Sequence, residues 1–409
     1  MSARVVLGVG AGIAAYKSCE LLRLLTESGH HVRVIPTPDA LRFVGEATWA
    51  ALSGEPETTD AWTGVAEVPH VRLGQSADLV LVAPATADLM ARAAAGMAGD
   101  LLTATLLTAR CPVVYAPAMH TEMWEHPATQ ANVSLLRSRG AIVLEPAVGR
   151  LSGADSGAGR LPDPAEIFAV ATRLLARAAR AARGELLRAD LAGRRVVVSA
   201  GGTREEIDPV RFIGNWSTGT QGYALARTAV ARGADVIVVA ANVALADPAG
   251  AKVVRVVSAR EMQDAVTAVA TAADAVVMAA AVADYRPAAR NEAKIKKDGQ
   301  PPEPLRLTEN PDILAGLAVR RAREPGHQVL VGFAAETDTS AEMARAKLAR
   351  KGCDLLVVNP VGNGLGFGTV DNEAVVYSAD GTVTAIPRAH KDTLADVVWD
   401  LVVARLNNW

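Results

Sequence analysis

Short apolar runs of strand length alternate with amphipathic helical patterns through the first half of the chain. The predicted strands lie near 5–9, 31–35, 79–83, 113–116 and 142–144. Helical patterns such as 14–28 and 98–109 fill the intervals between them. Strands that alternate with helices are typical of parallel sheets covered by helices. The first half therefore predicts a doubly wound α/β domain.

The same alternation restarts in the second half. The first predicted strand begins at Arg195, and the others lie near 235–240, 253–257, 274–281, 329–333 and 354–358. A hairpin predicted at 373–385 turns at Asp380, and a helix follows it through Trp409. Between the halves, residues 165–188 combine a helical pattern with an Ala/Arg-rich stretch that has no apolar stripe. Such a stretch is typical of a linker or a bridging helix. We therefore predict two α/β domains with mostly parallel sheets, residues 1–190 and 191–409.

The composition is that of a folded globular protein: 409 residues, 50% of them hydrophobic and 21% charged. A net charge of -2 gives no basic field for nucleic acid, and 4% aromatic residues argue against base stacking. Cys19, Cys111 and Cys353 are odd in number and lack metal-ligand spacing, which predicts reduced thiols in the cytoplasm, without disulfides or zinc. Since no apolar run is long enough to span a bilayer, we predict no membrane partner and no export.

A small-residue segment, 9–17, connects the first predicted strand to the first helix. There the backbone can approach a phosphate at a helix N-terminus. The same pattern also fits a close-packing turn. No acidic residue ends the second strand, which runs into Pro36-Thr37-Pro38 and so favours a mononucleotide phosphate over an adenosine ribose.

Two later strands of the first half end in polar residues. Segments 83–88 and 116–124 leave the predicted sheet with small, hydroxyl, imidazole and aromatic groups, and such edges build ligand pockets. His70 precedes a predicted helix. By itself, a histidine there is more often structural or solvated than catalytic.

In the second half, an apolar run ends abruptly at Asp284 and Arg286, and Pro287 is expected to forbid further strand pairing. A lysine-rich loop follows, with Lys294, Lys296 and Lys297. Lysines at the carboxyl end of a strand suit a nucleoside triphosphate, whose charge must be neutralised during attack. The alternative is a solvated basic loop.

Two further features of the second half suit an anion. Segment 199–222 is a glycine- and hydroxyl-rich connection between a strand and a helix, where backbone N–H groups can face a phosphate. Lys347 and Lys351 lie four apart in a helical pattern and so share one face of a helix. As an isolated pair they would be solvated.

Four segments of the first half resemble, in chain order, the flavin-dependent cysteine decarboxylase family: Gly-Ile-Ala-Ala-Tyr-Lys, His-Val-Arg-Leu, Ala-Pro-Ala-Thr-Ala-Asp and Pro-Ala-Met-His-x-x-Met-Trp. The resemblance implies a flavodoxin-like domain that binds FMN and forms trimers. It implies His70 as the catalytic histidine, His120 at the substrate carboxylate, and FMN contacts from Gly12, Ile13, Ala14, Thr37, Thr86, Ala87 and Asp88. In this chemistry, flavin oxidation of a thiol to a thioaldehyde supplies the electron sink that decarboxylation needs.

The second half resembles the phosphopantothenate–cysteine ligase domain, and the two halves in this order resemble the bifunctional phosphopantothenoylcysteine decarboxylase/phosphopantothenate–cysteine ligase family of coenzyme A biosynthesis. The implied substrates are 4′-phosphopantothenate, cysteine and CTP with Mg²⁺, and Asn215 and Lys294 would act on the acyl-cytidylate and its formation. The resemblance implies nucleotide contacts from Met278, Ala279, Ala280, Asp284, Lys294, Asn310, Pro311, Asp312, Ile313, Phe333, Lys347 and Lys351. It implies a dodecamer built from trimers of the first domain and dimers of the second, and it assigns no metal ligands.

The chain departs from these families at a few positions. His120 replaces the usual asparagine, and Gly153 stands where the flap often carries a proton-donating cysteine. Thr220 replaces a usual lysine, and Trp216 is unusual in its loop. Two alternatives stay open. One is a nicotinamide-dependent oxidoreductase with two doubly wound domains, against which the missing acidic residue after the second strand counts. The other, which these departures motivate, is a catalytically silent interaction or regulatory protein.

Overall fold

A computed structural model of the chain describes residues 2–55, 68–151, 155–181, 190–296, 304–323, 327–337, 340–361 and 371–407. The chain divides into two compact units: Met1–Gly193 with Val230–Ala234 and Ala246–Ala251, and Arg194–Ala229 with Asp235–Leu245 and Lys252–Trp409. The helical part of the predicted linker is observed, since a helix spans Pro164–Ala181. Residues 182–189 of that linker lie outside the described residues, and the domain boundary near 190 stays a prediction.

The first unit contains seven strands and eight α-helices in its described part. The strands are β1 (Arg4–Val9), β2 (His31–Pro36), β3 (Leu79–Ala85), β4 (Val113–Pro117), β5 (Ile142–Val143), β6 (Ala147–Arg150) and β7 (Ser156–Arg160). The helices are α1 (Lys17–Glu27), α2 (Glu46–Ser53), α3 (Pro69–Ser76), α4 (Ala87–Ala95), α5 (Leu101–Thr108), α6 (Thr121–Glu125), α7 (Pro127–Ser138) and α8 (Pro164–Ala181). A 3-10 helix, Ile13–Tyr16, precedes α1, and another spans Ala40–Arg42.

The main sheet of this unit is parallel, with the strand order β2-β1-β3-β4-β5. One face carries a core formed by the sheet with α4, α5 and α7, and α1 packs against α8. This is the flavodoxin-like order, which confirms the predicted fold class. The order reverses between β1 and β3, and in such sheets ligands bind beyond the carboxyl ends of the strands at that point.

The second unit contains twelve strands and five helices in its described part. The strands are β8 (Arg195–Gly201), β9 (Arg204–Glu206), β10 (Phe212–Gly214), β11 (Asp235–Ala241), β12 (Ala251–Val256), β13 (Ala275–Met278), β14 (Tyr285–Pro287), β15 (Leu307–Glu309), β16 (Val329–Glu336), β17 (Leu355–Pro360), β18 (Asp371–Ser378) and β19 (Val383–His390). The helices are α9 (Thr220–Ala231), α10 (Ala259–Ala270), α11 (Ile313–Arg321), α12 (Ala341–Lys351) and α13 (Lys391–Asn407).

Eight of these strands form one sheet in the order β12-β11-β8-β13-β16-β17-β18-β19. Strands β11, β8, β13, β16 and β17 are parallel, and β18 and β19 add an antiparallel hairpin. Helices α10, α11 and α12 share the core on one face. On the other, Trp399 of α13 donates its indole N–H to the Leu225 carbonyl of α9 at 2.9 Å. The hairpin predicted to turn at Asp380 is confirmed.

Three predicted elements differ from the structure. The strand predicted at 274–281 ends at Met278. Beyond it the chain pairs again only at Ala281, which forms an isolated bridge with Gly202 directly after β8. The prediction that Pro287 forbids further strand pairing is wrong: Pro287, which lacks an N–H, stands opposite Leu307 where β14 pairs antiparallel with β15, and the next residue, Ala288, donates its N–H to the Arg306 carbonyl at 2.9 Å. The helix predicted from 98 begins at Leu101, because Asp100 caps it with Thr103. Of the described helices, none is long and apolar enough to cross a membrane.

Candidate functional site

The turn that leaves β1 keeps an open glycine beside an exposed isoleucine. The Gly10 N–H donates to the Pro84 carbonyl at 3.0 Å, and a Cβ on Gly10 would meet that oxygen at 2.5 Å. Gly12 has a φ of 141°, and a Cβ there would meet no atom within 4 Å. Ile13 is 62% exposed. This turn leaves room for a ligand beside backbone N–H groups at the start of a helical segment.

Two more of the predicted flavin contacts follow strands at the same edge. Thr37 follows β2, and its N–H donates to the Val9 carbonyl at 2.8 Å. Thr86 follows β3 and caps α4, where its hydroxyl oxygen accepts from the Leu89 N–H at 3.2 Å. Because β2, β1 and β3 are parallel neighbours, the loops that carry Thr37, Gly12 and Thr86 leave the same edge of the sheet.

The remaining predicted contacts lie in first turns of helices. Ala14 belongs to the 3-10 helix after β1, and Ala87 and Asp88 open α4. The Asp88 carboxylate pairs with Arg92 on its own helix at 2.9 Å. The dipole of α4 would attract an anion at its N-terminus. The negative charge of Asp88 would not oppose this attraction, because Arg92 compensates that charge.

The hairpin of β6 and β7 lies against the loop that carries His120. The Met119 N–H donates to the Gly159 carbonyl at 2.9 Å. A Cβ on Gly159 would meet the Met119 carbonyl oxygen at 2.2 Å, and one on Gly157 would meet the Thr121 hydroxyl oxygen at 2.3 Å. Both positions therefore require glycine, and this close approach holds the loop of the exposed His120 after β4.

The three cysteines are free thiols. Burial raises the pKa of Cys19, and it raises the pKa of Cys111 and of Cys353 to about 11. Thiols kept neutral by burial act as packing groups rather than nucleophiles. Gly153, where the resemblance places a flap cysteine, lies outside the described residues. Within those residues, no cluster of three or more His, Cys, Asp or Glu side chains is arranged to hold a metal ion.

His70 lies in the first turn of α3 rather than before it, because Pro69 already begins the helix. Its carbonyl oxygen accepts from the Thr108 hydroxyl at 2.7 Å. Thr108 ends α5, which leads into the amino end of β4. In the described ranges, this one backbone hydrogen bond ties His70 to α5, and no hydrogen bond joins His70 to the loops of Gly12 and Thr86.

In the second unit, the carboxyl ends of β8 and β13 are joined by a bridge between Gly202 and Ala281. The Ala281 N–H donates to the Gly201 carbonyl at 2.8 Å. Gly201 has a φ of 82°, and a Cβ there would meet the Ala241 carbonyl oxygen at 2.0 Å, so only glycine fits this turn. The strand order reverses at β8 and β13, which makes their carboxyl ends the expected ligand crevice of this sheet.

The predicted nucleotide contacts after β13 line this crevice. Met278 ends β13 and is buried, and Ala279 and Ala280 follow it. The Ala280 N–H donates to the Ser199 hydroxyl of β8 at 3.1 Å. Asp284 is exposed, and its carbonyl oxygen accepts from the Asn310 N–H at 2.8 Å.

Two asparagines bind consecutive carbonyls of this segment. The side-chain amide of Asn215 donates to the Val282 carbonyl at 3.1 Å, and that of Asn310 donates to the Ala283 carbonyl at 2.9 Å. Asn215 and Asn310 come from different loops. Because both bind the segment after β13, they lie at the same edge of the sheet. Arg286 donates to the Asn310 side-chain oxygen at 3.1 Å. Arg286 is absent from the predicted contacts, although its place after an apolar run could have indicated it.

Both predicted lysines of α12 are held by carboxylates. Lys351 Nζ lies 2.6 Å from Asp312 Oδ2, and Asp312 also caps α11 by accepting from the Ala315 N–H at 3.1 Å. Lys347 Nζ lies 2.6 Å from Glu336 Oε1 at the end of β16. The sequence prediction missed Glu336, because the strand was expected to end at Phe333.

The last predicted nucleotide contacts lie at the start of α11 and within β16. Pro311 precedes the capping Asp312, Ile313 is buried in the core at the start of α11, and Phe333 lies within β16. Thr220 opens α9, and its hydroxyl lies 2.8 Å from that of Thr218. A hydroxyl pair therefore stands where the resemblance expects a lysine.

The loop after β14 presents Lys294 to solvent. Lys294 and Lys296 are exposed, and neither forms a hydrogen bond or ion pair with any part of the chain that the structure describes. The Asn291 N–H donates to the Ile207 carbonyl at 2.9 Å, which fixes the start of the loop. Lys297, the third lysine of the predicted cluster, lies outside the described residues.

Comparisons with known proteins match both units. Residues 1–176 match the flavoprotein family, and residues 191–406 match the DNA/pantothenate metabolism flavoprotein C-terminal domain family. A coenzyme A biosynthesis bifunctional protein CoaBC of Mycobacterium bovis is 58% identical over 98% of this chain and 97% of its own length. The solved C-terminal domain of a CoaBC protein is 35% identical and covers 54% of this chain and 99% of its own length, with a TM-score of 0.46. The FMN-dependent cysteine decarboxylase SpaF is 33% identical and covers 43% of this chain and 97% of its own, with a TM-score of 0.38.

Proposed function

Since the chain belongs to the family of coenzyme A biosynthesis bifunctional proteins, we propose that its two units catalyse consecutive steps. The second unit joins cysteine to 4′-phosphopantothenate with CTP, and the first decarboxylates the product to 4′-phosphopantetheine. A carboxylate resists attack by an amine because it is anionic and lacks a good leaving group. Its conversion to an acyl-cytidylate supplies CMP as the leaving group.

The observation that carries the ligase assignment is the pair of hydrogen bonds from Asn215 and Asn310 to the carbonyls of Val282 and Ala283. They bring two amides from separate loops to the crevice beyond β8 and β13. We assign Asn215 to the acyl-cytidylate, since a neutral amide can donate to a carbonyl oxygen that gains charge during attack.

Cations around the same crevice receive the nucleotide phosphates. Lys294 is exposed without a partner in the described structure, so its charge is available to a triphosphate. Lys347 and Lys351 are half-buried and paired with Glu336 and Asp312, which holds their ammonium groups in place. We propose that Mg²⁺ arrives with CTP, bound mainly by phosphate oxygens and water.

For the first unit we propose FMN as the resident cofactor. The open turn at Gly12 fits a single phosphate, and Thr37 and Thr86 leave the same edge with hydroxyl groups. The bound flavin would supply oxidation of the substrate thiol and later return of the electrons. His120 would hold the substrate carboxylate at the end of β4, and a proton for the reduced product must come from an acid other than a thiol at Gly153.

We expect the purified chain to be yellow and to release FMN on denaturation. Pro36-Thr37-Pro38 offers no acidic group for an adenosine ribose, which disfavours NAD and FAD. Absorption spectra and chromatography of the released cofactor measure this directly. Gly12→Asp, which places a charge in the open turn, should lose FMN and keep ligation. Release of NAD or FAD, or a protein that stays colourless with added FMN, would contradict the assignment.

We propose that both units require further copies of the chain. Exposed apolar side chains lie on the two short antiparallel strand pairs of the second unit, β9–β10 with the turn between them and β14–β15: Val210, Phe212, Tyr285 and Leu307 are between 48% and 59% exposed. Such a surface supports a dimer of this unit. The first unit would form trimers, which together with the dimers build a dodecamer.

We further propose a cytoplasmic enzyme. The free thiols of Cys19, Cys111 and Cys353 suit a reducing compartment.

The decisive test is to incubate the purified chain with 4′-phosphopantothenate, cysteine, CTP and Mg²⁺ and to identify the products by mass. We expect pyrophosphate, CMP, CO₂ and fully reduced 4′-phosphopantetheine. Accumulation of 4′-phosphopantothenoylcysteine would show a ligase without its decarboxylase, and accumulation of an oxidised enethiol would show that no acid replaces the flap thiol. Absence of all products would reject the proposed function.

A further inference from the structure

A buried carboxylate lies beneath the lysine loop of the second unit. Asp208 is 1% exposed, and its Oδ1 accepts from the N–H groups of Val210 and Arg211 at 2.8 and 2.9 Å. Its Oδ2 accepts from Arg211 Nε at 2.9 Å and Nη2 at 2.5 Å. The hydrogen-bonded Arg211 guanidinium holds the pKa of Asp208 well below its usual range. The Asp208 carboxylate is therefore ionised at neutral pH.

Asp208 and Arg211 also bind the backbone of one residue in the lysine loop, Ile295. The Ile295 N–H donates to Asp208 Oδ2 at 3.2 Å. The Ile295 carbonyl oxygen accepts from Arg211 Nη2 at 2.8 Å. Both backbone groups of Ile295 are thus bound by Asp208 and Arg211, which come from the turn before β10.

Ile295 lies between Lys294 and Lys296, so these two hydrogen bonds fix the backbone position from which both lysine side chains extend. A second link, from Arg290 Nε to Glu206 Oε2 at 2.6 Å, joins the start of the loop to β9, but both of its side chains are about half exposed. Exposed ion pairs contribute little to rigidity, whereas a buried, multiply hydrogen-bonded carboxylate constrains its partners strongly.

We propose that Asp208 and Arg211 are positioning residues that act through Lys294: they hold its backbone so that its ammonium group meets the nucleotide phosphates during acyl-cytidylate formation. The inference rests on the proposed function of the second unit and adds two residues to it. The Asp208 carboxylate is buried while Arg211 is about half exposed, and burying a carboxylate is costly for stability alone because it must be desolvated. A role in fixing a catalytic charge gives this pair a reason beyond stability.

The test begins with Asp208→Asn, which keeps the shape but removes the charge and places an NH₂ group among N–H donors. Misplacing a transition-state contact by about 1 Å costs up to about 10²-fold in rate. We expect a loss of about 10- to 100-fold in pyrophosphate release at saturating CTP and 4′-phosphopantothenate. Decarboxylation of supplied 4′-phosphopantothenoylcysteine should stay at the wild-type rate.

A matched control is Asp235→Asn. Asp235 also pairs with an arginine, Arg195, at 3.0 Å, but at the amino ends of β8 and β11. The same chemical change there should leave pyrophosphate release within about twofold of wild type. A second variant, Arg211→Lys, keeps the charge but loses the Nε–H bond to Asp208 and the planar fork of the guanidinium, and it should lower pyrophosphate release with decarboxylation unchanged.

A double-mutant cycle separates positioning from general stability. If Asp208 acts only through Lys294, Asp208→Asn should have no further effect in a Lys294→Gln background, measured in single-turnover pyrophosphate release. Additive losses, or full activity of both single variants, would overturn the inference and leave the proposed function standing. A wild-type chain that forms no acyl-cytidylate would overturn both.

Discussion

Lys294→Gln is expected to lower acyl-cytidylate formation by about 10²–10³-fold while decarboxylation of supplied 4′-phosphopantothenoylcysteine continues unchanged. Removing one preorganised charge contact to a transition state typically costs this much. Lys294 belongs to the second unit and has no partner among the described residues, so its substitution breaks no hydrogen bond or ion pair that they form. The loss should therefore appear in the rate and not in the stability of the protein.

The measurement is release of pyrophosphate from CTP in the presence of 4′-phosphopantothenate, alongside CO₂ release from the second substrate. Lys296→Gln is the matched control, since Lys296 is also exposed, lies in the same loop and follows Ile295 where Lys294 precedes it. A large effect of Lys294→Gln with a small effect of Lys296→Gln identifies one lysine. Equal effects would indicate only the charge of the loop, and loss of both activities would mean that the units do not divide the chemistry.

The two sheet edges could be predicted from the sequence because prolines, glycines and hydroxyl residues follow the apolar runs. The parallel direction of most strands could also be predicted, since alternating strands and helices give parallel sheets, whereas the order of the strands was not predicted. The prediction at Pro287 failed for a local reason. A proline cannot donate to a ladder, but at the end of a short antiparallel pair its missing N–H costs no hydrogen bond.

Partners distant in sequence could not be predicted from pattern. The lysines of α12 share a helical face, which the spacing indicates, but their carboxylates at Glu336 and Asp312 belong to other elements. Likewise, Asp208 and Arg211 are neighbours in the chain, yet their contact with Ile295 depends on the fold of the intervening residues. Such contacts set the position of a charge, which composition and periodicity leave undetermined.

His70→Asn is expected to lower decarboxylation by about 10²–10⁴-fold, the usual contribution of a general acid or base, and to leave ligation at the wild-type rate. Asparagine keeps a hydrogen-bonding side chain but cannot exchange a proton near neutral pH. The His70 carbonyl bonds to Thr108 through the backbone, so this substitution preserves that contact. CO₂ release and pyrophosphate release, measured on the same preparation, separate the two activities.

The sharper question is which copy of the chain supplies the histidine, because in the described structure a backbone hydrogen bond ties His70 to α5 and no hydrogen bond joins it to the open turn at Gly12. Co-assembling His70→Asn with Gly12→Asp tests this. The first variant lacks the histidine and the second lacks the flavin site, so each alone should be inactive in decarboxylation. If the histidine acts across a subunit boundary, random mixing in equal amounts restores about a quarter of the sites, those that combine one intact half from each copy. If His70 serves the flavin of its own copy, every site remains defective and mixing restores nothing. Ligation, which neither substitution touches, reports in both cases that the mixed assemblies are folded.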